Sequence, residues 1–226
     1  MDWLVEESLT ADMHDVQLEG DVVEHCHALR LSPNDYVGLL NGRGLRARCI
    51  VRDVARRSVR VEVLEVDQEP APPDVVLCLS ILDARDRLEY AIEKCTELGT
   101  TRIILVVADR SQQRTVRIDR LHQKLLAAVR QSGRAWIPTI EGPLSLQHTL
   151  ERLPAYHIIV GDQQGASPHA VRMPAAVVVG PEGGFSERER MWLSESKATL
   201  WRIGSNRLRT ETAAVVVTAA VVQWST

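Results

Sequence analysis

The sequence predicts a two-part α/β chain: a small β-barrel of about 70 residues, then a domain whose helices cover both faces of a parallel sheet. Three observations lead there. The stretch Asp67-Gln68-Glu69-Pro70-Ala71-Pro72-Pro73 cannot continue a helix or a central strand, so it divides the chain into residues 1–69 and 74–226. Upstream, short valine-rich runs alternate with charged residues, as half-buried strands do. Downstream, unbroken apolar runs alternate with helical patterns, as the strands of a covered parallel sheet do.

In the first part, Val22 to Leu31 reads as a short helix and Tyr36 to Leu40 as a strand. Asn41-Gly42 is a hairpin signal. Ala47 to Val54 and Val59 to Val66 follow as strands, with Val59, Val61, Val63 and Val66 facing inward. In the second part, Val75 to Leu79, Ile103 to Val107, His157 to Val160, Ala175 to Val179 and Leu200 to Ile203 read as strands. The helices are Arg85 to Leu98, Ile118 to Gln131, Leu146 to Leu153, Ser186 to Lys197 and Glu211 to Gln223. Gly99 and Gly133 stop two of them, and Ser186-x-x-Glu189 is a capping box. The last helix is apolar nearly all round between Ala213 and Val222, so it is buried on more than one side. A homodimer interface would supply that burial; a place in the core alone is the alternative.

No apolar run approaches the roughly 18 residues of a membrane span, and the acidic start Met1-Asp2-Trp3-Leu4-Val5-Glu6-Glu7 lacks a signal-peptide shape. The expectation is a cytoplasmic protein with no membrane partner. Cys26, Cys49, Cys78 and Cys95 lack metal-site spacing and read as buried, reduced thiols. His25 and His27, two positions apart, would face different ways on a helix, and no metal site is expected.

Charge is segregated along the chain. Residues 1–29 are net −8, residues 30–60 net +6, residues 61–100 net −7 and residues 101–134 net +6, within a total of −3. The two basic blocks are almost wholly arginine, which binds phosphate bidentately and stacks on bases. They fit RNA contact, with Arg30, Arg43, Arg46 and Arg114 as candidates; a solvated face is the bland alternative.

Two glycine-rich segments speak most directly of chemistry. Val177-Val178-Val179-Gly180-Pro181-Glu182-Gly183-Gly184-Phe185-Ser186 and Trp201-Arg202-Ile203-Gly204-Ser205-Asn206-Arg207-Leu208-Arg209-Thr210-Glu211-Thr212-Ala213 each leave a strand, turn at glycine and enter a helix. Such loops let main chain approach a ligand at the ends of neighbouring strands. Neither fits a P-loop or a Gly-x-Gly-x-x-Gly fingerprint.

Gly180-Pro181-Glu182-Gly183-Gly184-Phe185-Ser186 followed by Leu208-Arg209-Thr210-Glu211-Thr212-Ala213 resembles the bacterial ribosomal RNA uridine-N3 methyltransferases of the SPOUT superfamily. The resemblance covers nearly the whole chain. It takes in Glu89 to Gly99, Gln131-Ser132-Gly133-Arg134 and His25-Cys26-His27-Ala28-Leu29-Arg30. It departs at Ala84-Arg85-Asp86-Arg87-Leu88, where the family usually has a lysine-glycine pair, at the first residues, and at Ser205-Asn206-Arg207.

The resemblance implies a PUA-like β-barrel, then a SPOUT domain with a deep C-terminal trefoil knot. It implies S-adenosyl-L-methionine bound in that knot, and 16S ribosomal RNA or the small ribosomal subunit as substrate. Carried over position by position, the cofactor residues are Gly180, Pro181, Glu182, Gly183 and Gly184 in one loop. Ile203, Gly204, Asn206, Leu208, Arg209 and Thr210 lie in a second, and Val160 with Gly161 in a third. Glu182 is the candidate base, a loop brace being its alternative, and Arg209 would stabilise a uridine anion or anchor a phosphate. Arg134 would bind phosphate or form a loop salt bridge, and Glu211 would help cap the last helix. A noncatalytic RNA-binding protein with a vestigial knot, or a SPOUT methyltransferase with another RNA target, are the rival readings.

Overall fold

The computed structural model describes residues 1–112 and 115–224. The chain forms two compact units, one of Met1–Ala71 with Leu126–Ile137, the other of Pro72–Leu125 with the chain from Pro138 onward.

The first unit contains β1 (Asp2–Val5), β2 (Asp15–Glu19), α1 (Asp21–Ala28), β3 (Tyr36–Leu40), β4 (Leu45–Val54) and β5 (Ser58–Gln68). They form a five-stranded sheet in the order β1-β3-β4-β5-β2. β1 and β3 are parallel, and the remaining pairs antiparallel. The Asn41-Gly42 signal marks a real turn between β3 and β4. The Asn41 carboxamide oxygen accepts from the N–H groups of Arg43 and Leu45 at 2.8 and 3.0 Å, and Gly42 takes a φ of 76°.

The inward pattern of β5 is settled by a bulge. Arg48 pairs with Glu65 but Cys49 with Val63, so Leu64 is an extra residue and lies exposed. The slip explains why Val63 and Val66, three apart, both pack on the core that Val59 and Val61 begin.

The second unit contains β6 (Val75–Ser80), α2 (Arg85–Glu97), β7 (Arg102–Val107), β8 (Thr139–Ser145), α4 (Leu146–Glu151), β9 (His157–Ala166), β10 (Ala175–Val179), α5 (Glu187–Glu195), β11 (Thr199–Trp201) and α6 (Thr210–Trp224). The dividing point between the units falls within α3 (Ile118–Ser132). The sheet order is β11-β9-β10-β6-β7-β8, and every pairing is parallel. The central strands β6 and β10 are buried along their whole length, which is why they read as unbroken apolar runs. Leu146, Leu150 and Leu153 of the α4 region pack with Phe185 and Leu193 on one face of the sheet. On the other face α6 packs against α2, and the Cys95 and Thr218 side chains meet at 3.6 Å.

All four cysteines are buried and free, and burial pushes the thiols of Cys49, Cys78 and Cys95 up to about 12. No helix among the described residues is long and apolar enough to cross a membrane.

β9 and β11 approach each other too closely for a side chain at Gly165. A Cβ there would stand 2.4 Å from the Leu200 carbonyl carbon and oxygen, which are main chain and cannot swing aside. Gly165→Ala is expected to destabilise the protein by about 1–3 kcal/mol, read as a lower midpoint in thermal or urea unfolding.

Candidate functional site

Because β9, β10 and β11 run parallel, the segments at their carboxyl ends gather on one side of the sheet, where such sheets hold ligands. Leu200 pairs with Val160, but the next residue, Trp201, pairs with Ala166. Residues 161–165 of β9 therefore pass without a β11 partner. Gly161, Asp162, Gln163 and Gln164 of this stretch form one wall of a cavity of about 610 Å³. The loop after β10 and the loop after β11 form the others. Roughly 300–1,000 Å³ is usual for a site that takes a nucleotide-sized ligand.

Of the cofactor residues expected from sequence, Gly161, Gly180, Pro181, Glu182, Gly183, Gly184, Ile203, Asn206, Leu208, Arg209 and Thr210 line this one cavity. Val160 is buried just behind its wall, and Gly204 sits at the turn with a φ of 77°. The loop after β10 is held by its own carbonyls. Gly184 N–H donates to Pro181 O at 2.8 Å, and Thr210 Oγ1 to Gly180 O at 3.1 Å. Arg207 Nη2 donates to Glu182 O at 2.7 Å, and Arg110 Nη1 to Gly183 O at 2.8 Å. Val179, Phe185, Leu208, Ala213 and Val217 add apolar residues to the same lining.

Packing within the protein adds a further constraint on the glycines. Two of them are bare because the protein packs against them. A Cβ on Gly180 would lie 3.0 Å from the Phe185 ring, and one on Gly183 would lie 3.3 Å from Arg110 Cβ. Gly184, at a φ of 69°, is required by the turn itself.

Behind this loop the predicted capping box is formed. Ser186 Oγ accepts from Glu189 N, and Glu189 Oε2 accepts from Ser186 N at 2.8 Å. Glu189 is 1% exposed, and its Oε1 accepts from Asp109 N–H at 2.8 Å, so one carboxylate fixes two backbone segments. Among the described residues no group of His, Cys, Asp and Glu is placed to hold a metal ion.

The lining carries five arginines, Arg87, Arg190, Arg202, Arg207 and Arg209, against Asp162 and Glu182. Arg190 is engaged by Asp162 at 3.4 Å, and Arg207 by the Glu182 carbonyl. Arg209 is exposed, and no described residue binds its guanidinium. Sequence reasoning missed Arg87, Arg190, Trp201 and Arg202 as cavity residues. Trp201 and Arg202 open a quoted segment without being singled out in it, whereas Arg87 comes from α2, far away in sequence. Glu211, expected to cap α6, lies in its first turn and brings Oε1 to 3.7 Å from Arg87 Nε.

A family model described as RNA methyltransferase domain matches residues 69–222, and one described as RNA methyltransferase PUA domain matches residues 18–64. The ribosomal RNA small subunit methyltransferase E of Mycobacterium bovis is 32% identical over 221 residues, which span 90% of this chain and 84% of that protein. This chain belongs to the ribosomal RNA small subunit methyltransferase E family. The relative of the same name from Rickettsia conorii is 29% identical, spanning 95% of this chain and 92% of its own. Among solved structures, the ribosomal RNA small subunit methyltransferase E of Neisseria gonorrhoeae, bound to S-adenosyl methionine, superposes with a TM-score of 0.89. It is 26% identical, covering 99% of this chain and 97% of the other.

In this methyltransferase E family member the arginines expected to meet RNA differ in how free they are. Arg30 is exposed, at a φ of 57°, and forms no ion pair among the described residues. Arg43 donates through Nη2 to Glu7 O at 2.7 Å. Arg46 is paired with Asp67 at 2.8 Å and with Glu69 at 3.5 Å. Arg114 lies outside the described residues. Burial pushes the Arg134 guanidinium down to about 10, with nearby Glu69 opposing the shift.

Glu189→Ala would leave the Ser186 and Asp109 N–H groups without their acceptor. A loss of about 2–4 kcal/mol is expected from two unpaired donors, measured by urea unfolding, with weaker binding at the adjoining glycine loop.

Proposed function

We propose that this chain transfers a methyl group from S-adenosyl-L-methionine to N3 of a uridine in 16S ribosomal RNA. The observation that carries the reading is one cavity assembled from both glycine loops of the family pattern, in a chain of this family. Its size suits the cofactor, and the apolar residues Val179, Phe185, Leu208, Ala213 and Val217 in its lining suit adenine.

In this reading residues 1–69 form a PUA-like barrel that grips RNA, and residues 74–226 form a SPOUT methyltransferase domain knotted at its C-terminal end. The enzyme works in the cytoplasm as a homodimer, supported by half-buried apolar residues on α6 (Val215, Val216, Ala219, Ala220 and Val222) that a second copy would cover.

When bound, S-adenosylmethionine supplies an electrophilic methyl on a positively charged sulfur. The chain's own residues must do the rest. Uridine N3 carries a proton at neutral pH and has to lose it to become nucleophilic. Glu182, half-buried on the cavity wall, takes that proton through its carboxylate. Arg209, unengaged by the protein, steadies the negative charge that spreads onto the uracil oxygens. The loops after β10 and β11 fix the reacting groups in line and keep water away.

The test is mass spectrometry of ribosomal RNA from a strain lacking the gene, with restoration by the cloned chain. Loss and recovery of N3-methyluridine is expected; loss of a different mark would redirect the reading to another RNA target. Titration with S-adenosylmethionine should saturate, and an absence of binding would leave only an RNA-binding protein. Arg209→Ala is expected to lower kcat about a hundredfold while leaving cofactor affinity nearly unchanged, measured by calorimetry and single-turnover methylation.

A further inference from the structure

We propose that Arg87, held from behind by Glu211, is a phosphate-contact residue for the RNA substrate at the cavity wall. The inference rests on the methyltransferase reading and deepens it.

Arg87 lines the cavity, and its side chain is 37% exposed. Its Nε edge faces Glu211 Oε1 at 3.7 Å, and among the described residues neither Nη group has a partner. Glu211 is 8% exposed, and its Oε2 is buried without a hydrogen bond. A buried carboxylate needs a countercharge, so Glu211 draws the guanidinium onto the wall at the first turn of α6. With Nε turned inward, the two Nη groups are left to receive an oxyanion as a planar fork.

Two oxyanions could arrive here, the carboxylate of the methyl donor or a phosphate of RNA. The charge count favours RNA. Five arginines against two carboxylates line the cavity, an excess that one donor carboxylate does not balance. An RNA chain brings one negative charge with every nucleotide. Glu211 is thus a positioning residue, acting through Arg87.

The experiment uses the full chain with unmodified small ribosomal subunits and S-adenosylmethionine. Arg87→Ala should raise the KM for subunits about tenfold with kcat little changed and donor affinity intact. The slope of log binding constant against log salt should fall by about 0.7–0.9, the share of one phosphate. Arg87→Lys should recover part of the affinity, since charge remains but the fork is lost. Arg87→Ala with Glu211→Gln removes the stranded buried charge, so it keeps the protein folded and should repeat the KM and salt effects of Arg87→Ala without adding to them. An unchanged KM and salt slope would overturn the proposal, as would a matching loss of donor affinity, which would assign the fork to the donor's carboxylate. Failure of the unsubstituted protein to methylate would instead strike the methyltransferase reading, and this one with it.

Discussion

The parallel placement of β9 between β11 and β10 is the constraint on which the cavity depends. Parallel neighbours deliver their following segments to the same edge of the sheet. Three stretches separated by as much as forty-odd residues in the chain therefore converge without any long loop spanning them. The skip in register between β9 and β11 then opens the wall, because residues 161–165 need not stay in the ladder. The close approach of Gly165 to the Leu200 main chain shows how tightly the two strands are brought back together beyond that opening.

Charge works differently in the two units. In the first, the arginine-rich β4 lies antiparallel beside the acid-rich β5, so Arg46, Arg48 and Arg52 face Asp67, Glu65 and Glu62 at 2.7 to 3.0 Å. These pairs are exposed and add little to stability, but they cancel much of a basic block that looks large along the chain. In the cavity the reverse holds. Arginines from α2, α5 and the loop after β11, scattered in sequence, collect on one lining with only two acids.

Much of the second unit was legible because β6, β7 and β10 are buried on both faces and so carry no polar alternation to confuse them. Two short edge strands of the first unit escaped notice. β1 is only Asp2–Val5, and β2, reading DVQLE, is mostly acidic and polar. β8, reading TIEGPLS, holds Gly142 and Pro143 where a strand signal would need apolar residues. The glycine loops were readable as a site because turn chemistry is local, yet the reason for Gly180 was not, since Phe185 occupies the space only once the loop has folded. Arg87 carried no local signal at all. Its place depends on α2 lying against α6, a contact that spacing along the chain does not encode.

The four thiols have a practical consequence. Each is enclosed, and those of Cys49, Cys78 and Cys95 stay protonated far above neutral pH. The native cysteines are thus expected to react slowly with thiol-directed reagents. A single cysteine introduced at the surface would be the sole reactive handle, ready to carry a spin label or a fluorophore without first stripping the natural ones.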